Sequence, residues 1–325
     1  MNKKIISVII PVYNEEKAIK DFFDKKLHNV LDSIEKYSFE VIFINDGSSD
    51  KTNEVIKKIV DENRAKSNIH ISLISFSRNF GKEAALSAGF YYSNGSAAIS
   101  IDSDGEHPPK VIPDMIRKWE EGADIVTGIR TQYTKHGLIS RLGSKVFYKI
   151  ALLLDNQYIK PNATDFRLLD GLVVKELNKL TEHNRITRGL IDWLGFSQAY
   201  INFKTSPRLA GKPSYTFKKL FNLAIDSFAS MSTVPLMIIS YFGLSITIGS
   251  FLLGLFVLIQ QHIMGDPMHL QWNGAVQMAI FITFLVGLVL VAQAITALYI
   301  SHIHTESKNR PLFIINSKES LNFKK

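Results

Sequence analysis

The sequence has no cysteine, which excludes disulfides and thiolate metal sites. Two common phosphate-binding signatures are missing as well. No G-x-G-x-x-G follows the first apolar run, and no G-x-x-x-x-G-K-[ST] occurs anywhere, which argues against a dinucleotide enzyme or a P-loop ATPase. There is no zinc-ligand spacing and no dense Lys/Arg block with interleaved aromatics, so no nucleic-acid partner is expected. Acid is the scarcer charge, with 30 Asp+Glu against 38 Lys+Arg and a net +8 over 325 residues. That excess suits phosphorylated ligands or anionic lipid. Between Ser227 and Gly265, Asp, Glu, Lys and Arg are absent altogether.

What is present begins with alternation. Short β-branched runs at Ile5–Val12, Phe39–Asn45, Ile69–Ser75, Ala97–Ile101 and Ile125–Ile129 are separated by stretches with helical spacing. These are Glu15–Tyr37, Thr52–Ala65, Lys82–Tyr92 and Pro109–Glu120. The pattern predicts an α/β, Rossmann-like domain with a mostly parallel sheet covered on both faces. Ligands on such sheets bind beyond the carboxyl ends of the strands. Polar clusters sit there: Asn14-Glu15, Asp46-Gly47-Ser48-Ser49-Asp50, Ser77-Arg78-Asn79, and Asp102 with Asp104. Asn14 and Asp50 also suit helix N-caps. In an extended segment Asp102 and Asp104 face one side. Two hard oxygen ligands with open positions suit Mg²⁺ or Mn²⁺ carrying a diphosphate.

From Gly137 to Phe203 the pattern is less regular. Leu138, Leu142, Val146, Phe147, Ile150, Leu153 and Leu154 form one helical face. Thr164-Asp165-Phe166-Arg167-Leu168 is strand-like with a charged pair inside it, and Arg185, Arg188 and Trp193 follow. The expected organisation is a domain over 1–214, an interfacial amphipathic helix over 215–231, a two-helix membrane unit over 232–302 and a tail over 303–325. The spans fall at about 234–259 and 275–300, each roughly 39 Å long as a helix. The loop Gln260–Gly274 has no Lys or Arg, whereas Arg208, Lys212, Lys218 and Lys219 precede the first span and Lys308, Arg310 and Lys318 follow the second. The positive-inside rule then puts the domain and both termini in the cytoplasm.

Several runs together resemble glycosyltransferase family 2. They are Pro11-Val12-Tyr13-Asn14-Glu15-Glu16, Asn45-Asp46-Gly47-Ser48-Ser49-Asp50, Ser77-Arg78-Asn79-Phe80-Gly81-Lys82, and Asp102-Ser103-Asp104 before Pro108-Pro109. Thr164–Leu168, Arg185-x-x-Arg188-Gly189, Arg208-x-x-Gly211 and two spans narrow the resemblance to the polyprenyl-phosphate glycosyltransferases. That group includes the bactoprenol glucosyltransferases and is related to dolichyl-phosphate mannose synthase. The resemblance implies a GT-A fold and inverting transfer of one sugar, with glucose from UDP-glucose as the leading choice, to undecaprenyl phosphate. It implies action at the inner face of a bacterial cytoplasmic membrane and a homo-oligomer, with a tetramer as the family-based expectation.

Carried over, Pro11, Tyr13, Glu15 and Asp46 hold base and ribose, with Arg78, Lys82 and Lys212 on the donor side and Arg188 and Arg208 binding acceptor or donor phosphates. Asp102 and Asp104 hold metal and diphosphate. Asp165, Asp104 and Arg188 stand in the catalytic positions. Asp165 is expected to organise Arg167 or the acceptor site rather than take a proton, the plainer possibility being an Asp165–Arg167 ion pair. A processive family 2 synthase is disfavoured by the small number of spans and the lack of Gln-x-x-Arg-Trp. A non-catalytic nucleotide-sugar-binding module is disfavoured by the retention of Asp102, Asp104 and Asp165.

Overall fold

The structure, a computed structural model, describes residues 3–63, 69–131, 162–182, 185–205 and 307–323, with scattered positions from 252 to 304. The chain divides into two compact units, Met1–Ser214 with Arg310–Lys325, and Tyr215–Asn309. The expected helices at 138–154 and 215–231 lie outside the described residues, as do the span at 234–259, apart from Leu252, and much of the one at 275–300. Among the described residues no helix is long and apolar enough to cross a membrane.

The first unit is built on a seven-stranded sheet in the order β3-β2-β1-β4-β6-β5-β7. The strands are β1 (Ile5–Val12), β2 (Ser38–Asn45), β3 (Ile69–Ser75), β4 (Ala97–Ser100), β5 (Ile125–Arg130), β6 (Ala163–Asp170) and β7 (Gln198–Phe203). All run one way except β6, which is antiparallel to both β4 and β5. The mostly parallel sheet is thus as expected. The central strands read as nearly continuous apolar runs because both of their faces are covered.

Alternate residues of β1 feed two cores. Ile6, Val8, Ile10 and Val12 join Phe22, Phe23 and Ile56 on one face, while Ile9 meets Ala85, Ala88 and Phe90 on the other. The second face is covered by α4 (Lys82–Tyr92), α6 (Gly171–Leu177) and α7 (Thr187–Trp193). Close packing of α4 on β1 demands Gly89, where an added Cβ would lie 2.1 Å from Ile9 Cγ2. Pro11 is tolerated inside β1 because β4 has already ended where its missing N–H would point. The last bond on that side runs from Ile101 N to Ile9 O at 3.0 Å.

The first face carries α3 (Thr52–Glu62), α5 (Ile112–Glu120) and an interrupted first helix. Glu15–Tyr37 does not form one helix. It resolves into α1 (Ile19–Asp21), a π-helical turn over Phe22–Leu27 and α2 (His28–Asp32). The wider turn lets Phe22 and Leu27, five residues apart, share the buried side. The strand β7 and the helices α6 and α7 were not expected from the sequence. The segment from Arg310 docks along β3 and just past its end, with bridges from Leu73 to Leu321 and from Phe76 to Ile315.

Candidate active site

The strand order reverses between β1 and β4, because β1 connects outward to β2 on one side while β4 lies on the other. That is where an open parallel sheet leaves a crevice at its carboxyl edge. Asp102 stands two residues past the end of β4. Since β6 runs antiparallel, its start lies at the same edge, and Asp165 arrives beside Asp102. Lys82 opens α4 and Arg188 lies in the first turn of α7.

These four side chains form one chain of charge. Lys82 Nζ lies 2.7 and 2.8 Å from the two oxygens of Asp102 and 3.0 Å from Asp165 Oδ2. Arg188 gives its Nη2 and Nε hydrogens to Asp165 Oδ1 at 2.8 and 3.1 Å. Burial pushes the Asp165 carboxyl up, but Lys82 and then Arg188 hold it well below the ordinary carboxylate range. Burial likewise raises Asp102, and Lys82 followed by His107 brings it below its usual value. For Lys82, burial acts downward and the two carboxylates overcome it, so the ammonium stays charged. A lysine at a helix N-terminus opposes the helix dipole. Here the two acids compensate.

Asp104 does not sit on an extended strand with Asp102. The strand stops at Ser100 and the chain turns through Gly105 at φ 80°, so the expected strand geometry is replaced by a turn. Asp104 Oδ1 accepts the N–H of Glu106 at 2.9 Å, and Glu106 pairs with Arg130 at 3.0 Å. His107 is buried and stacked on Phe166, with centroids 5.3 Å apart. Its Nδ1 accepts the Asp102 N–H at 3.2 Å, which places the proton of the neutral ring on Nε2. Burial lowers its pKa, against the opposing pull of Asp102. Among the described residues no group of three or more His, Cys, Asp or Glu side chains gathers to hold a metal. Two carboxylates on one turn nevertheless match the donor set of a hard cation that takes its other ligands from phosphate and water.

The expected nucleotide side is a rim of loops that hold one another. Asp46 accepts the N–H groups of Phe80 and Gly81 at 2.7 and 2.9 Å, clamping the loop after β2 to the loop after β3. Burial raises its pKa and those two bonds lower it. Gly47, at φ +63°, passes so close that a Cβ would lie 2.3 Å from the carbonyl carbon of Arg78. Asn14 holds the same rim, its Oδ1 accepting from Ser49 N at 2.9 Å and its N–H donating to Ser48 Oγ at 3.0 Å. Asp50 ties Thr52 N and Glu16 N instead of capping the helix conventionally. Tyr13 is 47% exposed on this rim, the Glu15 N–H bonds Thr52 Oγ1, and the Arg78 guanidinium lies 4.0 Å over the Phe80 ring. Arg208 and Lys212 lie outside the described residues.

Asp165 and Arg167 do not pair with each other. Arg167 turns to Asp192, at 2.8 Å, while Asp165 takes Arg188. Residues two apart on a strand and four apart on a helix share a face and have similar spacing, so β6 and α7 meet through two parallel pairs. Sequence reasoning missed Asp192, and also Glu83, whose carboxylate accepts the Thr187 N–H at 2.8 Å and joins the starts of α4 and α7. Burial, then Asp165, raises the Glu83 pKa. Its adjacency to Lys82 was the available signal.

A family model described as Glycosyl transferase family 2 matches residues 7–176. A bactoprenol glucosyl transferase of Shigella phage SfX is 36% identical over 314 residues, covering 97% of this chain and 99% of that one. A glycosyltransferase of Synechocystis sp., without an assigned activity, is 35% identical over 318 residues, covering 98% and 96%. Among solved structures, glucosyl-3-phosphoglycerate synthase from Mycobacterium tuberculosis, in complex with Mn²⁺ and UDP-glucose, aligns at a TM-score of 0.46. It is 18% identical, with 70% of this chain and 78% of that one covered.

Proposed function

The chain belongs to glycosyl transferase family 2 and is a glycosyltransferase, and from that premise we propose that it moves one sugar, with inversion, from a nucleoside diphosphate sugar to undecaprenyl phosphate. Glucose from UDP-glucose is the leading donor. The observation that carries the proposal is the chain Arg188–Asp165–Lys82–Asp102 at the carboxyl edge of the sheet. It sets two cations and two carboxylates beside a rim of loops suited to a nucleotide. The name of the phage relative supports a prenyl acceptor. The apolar stretches near 234–259 and 275–300, with basic residues on their outer flanks, support anchoring in a cytoplasmic membrane with the GT-A domain inside.

The chemistry follows from the charges. Asp102 and Asp104 would hold Mg²⁺ or Mn²⁺, which when bound offsets charge on the departing nucleoside diphosphate. The acceptor is a phosphate monoester, largely ionised near neutral pH, so it needs little help in losing a proton. A carboxylate held below its ordinary range is a poor base, which fits Asp165 as an organiser. Asp165 orients Arg188 and Lys82, and those cations position phosphate oxygens for in-line attack.

The test is transfer of labelled sugar from a panel of nucleotide sugars to undecaprenyl phosphate in lipid. A lipid-linked monosaccharide is the expected product, and a water-soluble polymer would point to a processive synthase. Full activity of Asp104→Ala with divalent metal would overturn the metal–diphosphate assignment.

A further inference from the structure

We propose that Glu319, far along the chain, is a positioning residue for the loop that receives the donor nucleotide; this rests on the reading of residues 45–50 as part of the donor site. The segment after Arg310 returns to the edge of the sheet and docks there by several independent contacts. Phe313 stacks on Phe76 with centroids 5.1 Å apart, Leu321 exchanges two backbone bonds with Leu73, and Ser320 Oγ accepts the Ser75 N–H at 2.9 Å. Docking therefore does not depend on Glu319. Its carboxylate is directed elsewhere.

Glu319 Oε2 accepts from Asn53 Nδ2 at 2.5 Å and pairs with Lys57. The other end of the Asn53 amide faces inward, where its oxygen accepts from Asn45 Nδ2 at 3.1 Å and from Ser75 Oγ at 2.7 Å. Asn45 is buried, and its own oxygen accepts the Ser48 N–H at 3.1 Å. Ser48 and Ser49 are the residues that hold Asn14 across the rim. An amide has donors at one end and an acceptor at the other. A carboxylate outside Asn53 can only accept, so it fixes which end of Asn53 points in. That choice fixes Asn45 and presents an acceptor to the Ser48 N–H. Without Glu319, a flipped Asn53 would set two amide donors against each other, and the loop would lose its register.

Three variants of the full-length protein test this: Glu319→Ala, Glu319→Gln and Lys57→Met. The readouts are amide hydrogen exchange over residues 45–52, equilibrium binding of UDP, and transfer kinetics. In Glu319→Ala, exchange in the loop should quicken and UDP should bind about three- to tenfold more weakly, with kcat at saturating donor within about twofold of wild type. Glu319→Gln offers Asn53 a donor as well as an acceptor, so it no longer fixes the sense of the amide and should loosen the loop to between wild type and Glu319→Ala. Lys57→Met removes only the ion pair and should behave like wild type. Unchanged loop exchange in Glu319→Ala would overturn the inference, as would equal loosening by Lys57→Met, which would mark Glu319 as mere docking surface. If wild type binds no UDP while exchange responds as described, the donor reading fails and the positioning role of Glu319 stands.

Discussion

Two acid–arginine pairs join β6 to α7, and they differ chiefly in what surrounds them. Arg167–Asp192 is closed: the two residues are 2% and 4% exposed, and Arg167 Nε also donates to Thr164 O. Asp165–Arg188 is open: Asp165 shares its charge with Lys82, and the Arg188 and Lys82 side chains are 40% and 36% exposed. The inner pair has spent its bonding capacity on the protein. The lip pair leaves two cations partly facing solvent at the edge of the sheet. Identical functional groups thus serve cohesion in one place and, in the role proposed above, binding in the other.

The sharpest way to break the inner pair is Arg167→Met, which strands a buried carboxylate. It should cost about 3–5 kcal/mol of stability in denaturant titrations while the folded fraction keeps its transfer rate. A loss of rate without a loss of stability would reverse the roles assigned to the two pairs. Arg188→Gln should do the opposite, lowering transfer about 10²-fold with little change in melting temperature. Acid provides a third comparison. Asp165 titrates below its ordinary value of 3.8 in the folded chain, so unfolding takes up a proton there. Its stabilisation is complete above 3.8 and is lost as the pH falls from there through the lower folded value. Melting temperatures of wild type should therefore drop more between about pH 5 and pH 3 than those of Asp165→Asn. Equal slopes would rule out the charge clamp. The smallest effect belongs to the exposed pair Lys36–Glu120, 2.9 Å apart. Lys36→Met should change stability by less than about 1 kcal/mol, which anchors the low end of the series.

Much of the framework was legible in the sequence. The bounds of β1, β3 and α4 coincide with their apolar or helical runs, because polar clusters punctuate each end. The clusters also marked the edge where the proposed site lies, since loops at strand ends commonly carry ligand groups. Strand direction was not legible. A run such as Ala163–Asp170 looks the same in either sense, and only its antiparallel placement explains how Asp165 reaches Asp102. Partners distant in sequence were hidden for the same reason, so Arg167 was matched with its neighbour in sequence instead of Asp192. β7 carries a period-2 pattern in Ala199, Ile201 and Phe203, but six residues are too few to stand out from irregular chain. The π turn was masked by the same apolar spacing that announces an ordinary helix.

The returning segment also constrains how the chain is made. β3 is the outermost strand on its side of the sheet, and Ser75 and the Ser320 that covers it are 245 residues apart. At ~5–20 residues per second, a ribosome emits the covering segment about 10 to 50 s after the strand it covers. Over that interval the nascent sheet carries an open edge, of the kind that recruits foreign strands. Everything between Tyr215 and Asn309 must emerge before the edge is sealed. Slow translation of that stretch would prolong the exposure, so the yield of folded protein should depend on elongation rate as well as on final stability.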